Sequence, residues 1–380
     1  MAKVVIVGSG LFGLTMANLI VDKFNLPVTV LERRNHIGGN AWSHFDEETG
    51  IEIHDYGSHI FHTSNQRVIE FITRFGEFVN YKHTVWAKVD SQFYSMPFNL
   101  QTISTAFGKA MSPAEAQEQL AREIVDSGIS EQMSQLSLEN KAIYSVGKTL
   151  YEKLVLGYTE KQWQTDPKDL PSSIISRIPI RFNFDNSYFK DSFQGVPKEG
   201  YCTLLQKMTD NPLIDIHLNT DYFETDYYSA RDELITIYTG PIDRFFQFRH
   251  GRLGWRTLDF QIEKLDISDF QGTSVVNYPS PAIPWTRIHE FKHFNPERQY
   301  SEDKTIIMKE LSRFALEEDE PYYPINNSSD RDTLVKYRED MAHEKNVYFG
   351  GRLGSYQYLD MHMAIASAIS LFESSISQRL

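Results

Sequence analysis

Positions 4–13 read VVIVGSGLFG, an apolar strand running directly into Gly8-x-Gly10-x-x-Gly13, and a helical stretch, Leu14 to Phe24, follows. Strand, glycine turn and helix in that order are the context in which this spacing binds a dinucleotide. Gly8 permits the tight turn, Gly10 lets the backbone approach a pyrophosphate, and Gly13 lets the helix pack close to the strand. The diphosphate then meets unpaired N–H groups at the positive end of a helix dipole. A second apolar strand, Pro27 to Leu31, ends at Glu32. That lies near the ~20-residue offset of an acid that takes ribose hydroxyls.

Glu32 is followed by Arg33, Arg34 and the turn Ile37-Gly38-Gly39-Asn40. This continuation resembles the FAD-binding proteins of the fold, in which a second glycine pair passes close to the cofactor, and it points to FAD rather than NAD. At 380 residues the chain is too long for one core and predicts two or three domains. Its 13% aromatic content suits stacking sites, and its net charge of −13 argues against nucleic-acid or anionic-membrane partners. An anionic substrate therefore requires a local cluster of arginines. Cys202 is the only cysteine, which excludes an internal disulfide and is expected to be a small core side chain. A first strand starting at Lys3 leaves no space for a signal peptide, and no apolar run reaches ~18 residues, so the expected location is cytoplasmic, without membrane insertion.

Organisation changes three times along the chain. After the opening α/β segment, Thr84–Val89 and Gln92–Met96 read as two strands joined at Asp90-Ser91, and Pro113–Val125 (after the cap Ser112) and Leu138–Leu156 read as helices. Leu234–Tyr238, ended by Thr239-Gly240-Pro241, and Val347–Phe349 return as buried strands. Between them, Phe245 to Tyr323 alternates in short strand-like pieces such as Thr273–Tyr278 and Thr286–Phe291, and the last helix is predicted from Leu359 to Phe372. The fold class is α/β, expected as three parts. A discontinuous Rossmann-like FAD-binding domain takes 1–81, 195–243 and 335–380, a helical bundle takes 99–190, and an antiparallel sheet takes 82–98 and 244–334.

Seven phrases, in order over essentially the whole chain, carry a resemblance: HDYGSHIFHT at 54–63, GYTEKQW at 157–163, RFN at 181–183, FQGVP at 193–197, GRLGWRTLDF at 251–260, PYYPI at 321–325 and GRLGSYQYLDM at 351–361. Together they resemble the UDP-galactopyranose mutases of the bacterial type. The resemblance implies interconversion of UDP-galactopyranose and UDP-galactofuranose by nucleophilic catalysis through N5 of reduced FAD. It also implies a cellular reductant such as NAD(P)H or a reducing protein, a homodimer, and supply of galactofuranose to cell-surface polysaccharide. A flavin amine or polyol oxidase of the same FAD fold is the alternative, separable because an oxidase consumes an electron acceptor and a mutase does not.

A UDP-sugar needs an aromatic face, guanidinium groups and hydroxyls. By resemblance Tyr158 stacks on uracil with Thr159 beside it, and Trp163 lies on a mobile loop. Arg177 and Arg287 hold the diphosphate from two sides, Tyr188, Tyr323 and Tyr358 direct hydroxyls at phosphate oxygens, and Arg256 and Asn277 approach the substrate. By resemblance His59 and His62 sit beside the flavin, with His62 near its reactive face and counted as catalytic with Arg177 and Arg287. As metal ligands the two histidines lack a third partner in the local sequence, so no metal is expected. The cofactor is assigned Gly8, Gly10, Phe12, Gly13, Glu32, Arg33, Gly39, Asn40 and His59 from the N-terminal segment. Tyr222, Thr239 and Gly240 join from the middle, and Arg352, Leu359, Asp360 and Met361 from the last phrase. Trp255 and Trp285 stand where the family commonly has tyrosine, and Leu154 and Val155 where it often has phenylalanine, so packing around uracil is expected to differ.

Overall fold

The computed structural model describes residues 4–177 and 180–380, and of residues 173, 176 and 177 the backbone alone. Lys3 lies outside the described residues. β-branched runs Val4–Val7, Val28–Leu31, Ile214–His217, Ile235–Tyr238 and Val347–Phe349 form one parallel sheet. In it Val4–Val7 pairs with Val28–Leu31 on one side and Ile235–Tyr238 on the other. Such strands are covered on both faces, which is why they read as continuous apolar runs. The 14-residue helix Leu11–Phe24 and the helix Met361–Leu371 pack with this sheet, so it is assembled from both ends of the chain.

A second sheet of seven strands runs in the order Tyr323–Pro324, Trp255–Leu265, Thr305–Phe314, Arg287–Glu290, Val275–Asn277, Val85–Val89, Gln92–Met96. Two of its strands are long, 11 residues for Trp255–Leu265 and 10 for Thr305–Phe314, where short pieces were expected. The sheet is antiparallel except that Val275–Asn277 pairs parallel with Val85–Val89. These two strands come from distant parts of the chain, so no hairpin turn dictates their direction. The hairpin Val85–Val89 with Gln92–Met96 forms as predicted, with Asp90 at φ 53° in its turn.

Several of the remaining helices lie in the segment between Gln92–Met96 and Phe193–Pro197. Pro113–Ser127 starts with a reciprocal capping box of Ser112 and Glu115. The single helix expected over Leu138–Leu156 is instead interrupted at Gly147, where φ is 78° and ψ 164°. It resumes through a π-helical stretch Tyr151–Leu156 into the helix Gly157–Trp163. The last helix begins at Met361 with Asp360 as its cap, two residues later than expected. Two small sheets went unpredicted: Ser43–Phe45 with Glu52–His54, and Phe61–Thr63 and Phe78–Val79 on either side of Phe193–Pro197. Cys202 is only partly buried, because it stands in the first turn of the helix Tyr201–Thr209 with its backbone N–H held by Ser43 Oγ. Among the described residues no helix is long and apolar enough to cross a membrane.

Candidate functional site

A cleft of about 1500 Å³ runs between the parallel sheet and the seven-stranded sheet. A pocket for one drug-sized ligand has a volume of roughly 300–1,000 Å³, so there is space for two ligands. One end is built from main chain. Gly8 turns the strand at φ 104°, and a Cβ on Gly13 would lie 2.0 Å from the Gly8 carbonyl oxygen, so the helix contacts the turn directly. A Cβ on Gly10 would meet nothing within 4 Å, leaving open space at the N-terminus of the helix Leu11–Phe24. Open backbone beside free helix N–H groups fits a diphosphate. The Glu32 carboxylate braces the turn, accepting from Ser9 N–H at 2.9 Å and Ser9 Oγ at 2.7 Å. Arg34 Nη2 donates to Asn40 Oδ1, while Arg34 Nη1 has no partner among the described residues.

The other end is built from side chains. Arg287 donates to the Tyr158 hydroxyl and pairs with Glu310 at 3.4 Å. Burial opposes the guanidinium's charge, but the Glu310 carboxylate outweighs it and holds the Arg287 pKa above its usual range. Glu310 in turn is 3.1 Å from His289 Nε2. Burial lowers the His289 pKa, so the ring is neutral and donates its Nε2–H. Tyr158 is pushed up to about 12 by burial and remains a phenol. Tyr323 stacks on Tyr358 with ring centroids 5.8 Å apart, and the Arg352 guanidinium lies over both rings. Arg352 is fixed by donating to the Tyr322 and Leu359 carbonyls at 3.1 and 2.7 Å. The arrangement offers fixed positive charge, phenolic donors and stacked rings, which suits a phosphorylated aromatic ligand.

The cleft is lined by Gly8, Gly10, Phe12, Glu32, Arg33, Gly39, Asn40, His59 and His62 from the N-terminal segment, and by Tyr222, Thr239, Gly240, Arg352, Leu359, Asp360 and Met361 from later ones. Tyr158, Thr159, Tyr188, Asn277, Arg287, Tyr323 and Tyr358 line it as well, with Leu154, Val155 and Trp255. His62 lies flat on Phe189, ring centroids 3.6 Å apart, and its Nδ1 is 2.7 Å from Asp191. The potential ligand atoms of His62, Asp360 and His362 lie within 4.8 Å of one another, a juxtaposition the local sequence did not contain. Burial lowers the His59 pKa to about 4.

Three predicted residues are elsewhere. Gly13 packs beneath the turn. Trp163 follows Tyr158 by five residues, about 140° further round the helix, and packs against the core instead of lining the cleft. Arg256 is 1% exposed, its guanidinium consumed by Gln164 Oε1 and Ser312 Oγ at 3.1 and 3.0 Å and stacked over Phe314, so it does not reach the cleft. The Arg177 side chain lies outside the described residues. Conversely, Glu310 and His289 were missed. Glu310 carries a readable signal, since it continues the buried phase Ile306, Met308, Ser312 of its strand, where a carboxylate demands a partner.

Comparison with known proteins gives the family and the fold. Residues 153–358 match the family of UDP-galactopyranose mutases, and residues 6–75 match an NAD(P)-binding Rossmann-like domain. The chain is 40% identical to a probable UDP-galactopyranose mutase of Klebsiella pneumoniae, over 99% of this chain and 95% of the relative. It is 38% identical to a dTDP-fucopyranose mutase of Escherichia coli, over 97% of both. A crystal structure of reduced UDP-galactopyranose mutase superposes with a TM-score of 0.75 at 14% identity, covering 100% of this chain and 96% of that one, which shows a shared fold.

Proposed function

The chain belongs to the UDP-galactopyranose mutase family, and from that premise we propose that it is an FAD-dependent isomerase interconverting UDP-galactopyranose and UDP-galactofuranose. The observation that carries the reading is the single cleft whose glycine-built end suits a dinucleotide and whose Arg287–Tyr158 end suits a nucleoside diphosphate. The cofactor would be held by the turn Gly8–Phe12, Glu32, Gly39, Asn40, Thr239 and Gly240, with Arg352 and Asp360 near its flavin half. When bound and reduced, the flavin supplies the nucleophile, its N5, for the sugar's anomeric carbon.

The protein's own residues bind, orient and exclude water. Arg287, kept charged by Glu310, stabilises the diphosphate as negative charge develops on it, and Arg177 is proposed to do so from the opposite side. Tyr188, Tyr323 and Tyr358 donate to phosphate oxygens, Tyr158 and Thr159 hold the base and Asn277 the sugar. His62, oriented by Asp191, stands on the cofactor side of the sugar. The three-part division of the chain, the cytoplasmic location, homodimer, cellular reductant and polysaccharide role belong to the same proposal.

A dTDP-sugar is the second reading, favoured by the 38% identity to the dTDP-fucopyranose mutase and by the aliphatic wall of Leu154 and Val155, which would meet a thymine methyl. The test is chromatography of UDP-galactofuranose incubated with the protein, with and without dithionite, and in parallel of dTDP-fucofuranose. Dithionite-dependent formation of UDP-galactopyranose is expected. Conversion of the dTDP-sugar alone would replace the first reading with the second, and consumption of an electron acceptor without isomerisation would replace both with an oxidase.

A further inference from the structure

Lys161 is a cation without a carboxylate partner among the described residues. It stands on the helix Gly157–Trp163, and its Nζ is within hydrogen-bonding distance of four backbone carbonyls of one loop, which share its three N–H donors: Tyr278, Ser280 at 3.0 Å, Ile283 at 2.9 Å and Trp285 at 2.9 Å. That loop joins the strands Val275–Asn277 and Arg287–Glu290. Its two roots are therefore gripped next to Asn277 and close to Arg287. A tetrahedral ammonium can gather carbonyls from several directions, whereas a planar guanidinium cannot.

Further contacts fix the same helix to this loop and to the strands behind it. A Cβ on Gly157 would lie 2.3 Å from the Pro279 carbonyl oxygen, so the helix backbone itself rests on this loop. At the other end of the helix, Gln164 at φ 49° accepts through Oε1 from Arg256 Nη1 and the Phe314 N–H, both at 3.1 Å, and the Gln162 carbonyl accepts from Ser312 Oγ at 2.8 Å. The buried Arg256 thus serves the helix rather than a ligand. Between the ties stand Tyr158 and Thr159, which face the cleft, with the Tyr158 hydroxyl taking a hydrogen bond from Arg287.

We propose that Lys161 is a positioning residue for nucleotide binding: its ammonium clamps the roots of the loop 278–286 to the Tyr158 helix and so sets the spacing of Tyr158, Asn277 and Arg287. The inference rests on the reading of this end of the cleft as the nucleotide site. Without the clamp the three side chains remain, but each ligand must order them anew, and binding loses the advantage of preorganisation.

The test titrates UDP into the FAD-loaded wild type, Lys161→Met and Lys161→Arg, alongside flavin content, melting temperature and steady-state kinetics. Both substitutions are expected to weaken UDP binding and raise KM at least about tenfold while kcat falls less than about threefold, with flavin content unchanged. In a Cys202→Ser background, Lys161→Cys alkylated with 2-bromoethylamine regains an ammonium and should recover UDP affinity, whereas capping with iodoacetamide should not. Unchanged UDP affinity in Lys161→Met overturns the inference alone. Equal loss of UDP and flavin, equal recovery with both alkylating reagents, or failure of every variant to fold would make Lys161 a general structural residue and overturn it too. A wild type that binds no UDP overturns the nucleotide reading, and the clamp with it.

Discussion

The two ends of the cleft do comparable jobs with opposite materials. At the proposed dinucleotide end, helix N–H groups and open backbone face the cleft, and the side chains there brace the turn, as Glu32 does through Ser9. At the other end, charge and hydroxyls come from Arg287, Tyr158, Tyr323 and Tyr358, and a buried chain of Glu310 and His289 stands behind the arginine. A backbone-built site tolerates almost no added atoms. A side-chain-built site tolerates truncation structurally but loses the function of the group removed. The two ends should therefore fail in different ways.

The largest effect is expected at the first end. Gly13→Val places a branched side chain where even a Cβ would sit 2.0 Å from the Gly8 carbonyl oxygen, and neither partner can move without breaking the strand–turn–helix unit. A loss of more than about 3 kcal/mol is expected, together with loss of bound flavin seen in the visible spectrum. A variant purified with full flavin would show that the turn is more compliant than its geometry implies.

Next comes Arg287→Ala, expected to lower turnover at least ~100-fold, about 3 kcal/mol, with flavin content unchanged. If flavin and turnover fell together, the two ends would not be separable, and the comparison would break. The same experiment on Arg177 addresses the side of the diphosphate that the described side chains leave open.

The contrast also explains what could be read from sequence. Gly8, Gly10 and Gly13 are legible because each encodes a backbone geometry in its own identity. Asn277, Tyr188 and Tyr323 were reachable only through the family resemblance, since nothing about an isolated asparagine or tyrosine says what ligand it faces. Arg256 and Trp163 show the limit of such carry-over. Both belong to phrases that resemble the family, yet Arg256 is spent on Gln164 and Ser312, and Trp163 falls on the far side of its helix. Lys161 has no sequence signature because its partners are four carbonyls, which any residue supplies. Gly147 was read through as helix because one glycine in an otherwise periodic stretch is tolerated more often than not.

A smaller effect separates the ends by pH. His83 lines the cleft, is 5% exposed, and has its pKa lowered to about 3 by burial, with the nearby Arg287 guanidinium adding to the shift. The unfolded chain binds this proton near pH 6.5 and the folded one does not, so below that pH the unfolded state is favoured. Stability contributed by neutral His83 is present above pH 6.5 and is lost progressively as pH falls towards 3, by about 1.4 kcal/mol per pH unit. His83→Gln should flatten the slope of unfolding free energy against pH by about that amount between pH 6 and 5. An unchanged slope would mean that the ring is protonated in the folded protein.

The smallest effect is expected where the two ends are tied. Glu320, from the loop after Thr305–Phe314, pairs with Arg33 at 2.5 Å and Arg34 at 2.9 Å, the two residues that follow Glu32. Arg33 is 53% exposed and Glu320 33%, so water and salt screen the pair, and Arg34 keeps its bond to Asn40 and its place over Tyr56 without it. Glu320→Gln should change stability by less than about 1 kcal/mol, with the difference shrinking further at high salt. Release of FAD should quicken only a fewfold, because the turn and helix N-terminus proposed to hold the diphosphate are untouched. A loss above about 2 kcal/mol, insensitive to salt, would require the pair to act as a desolvated tie. The dinucleotide end would then owe its stability to a side chain from the other sheet, and the independence of the two ends would be gone.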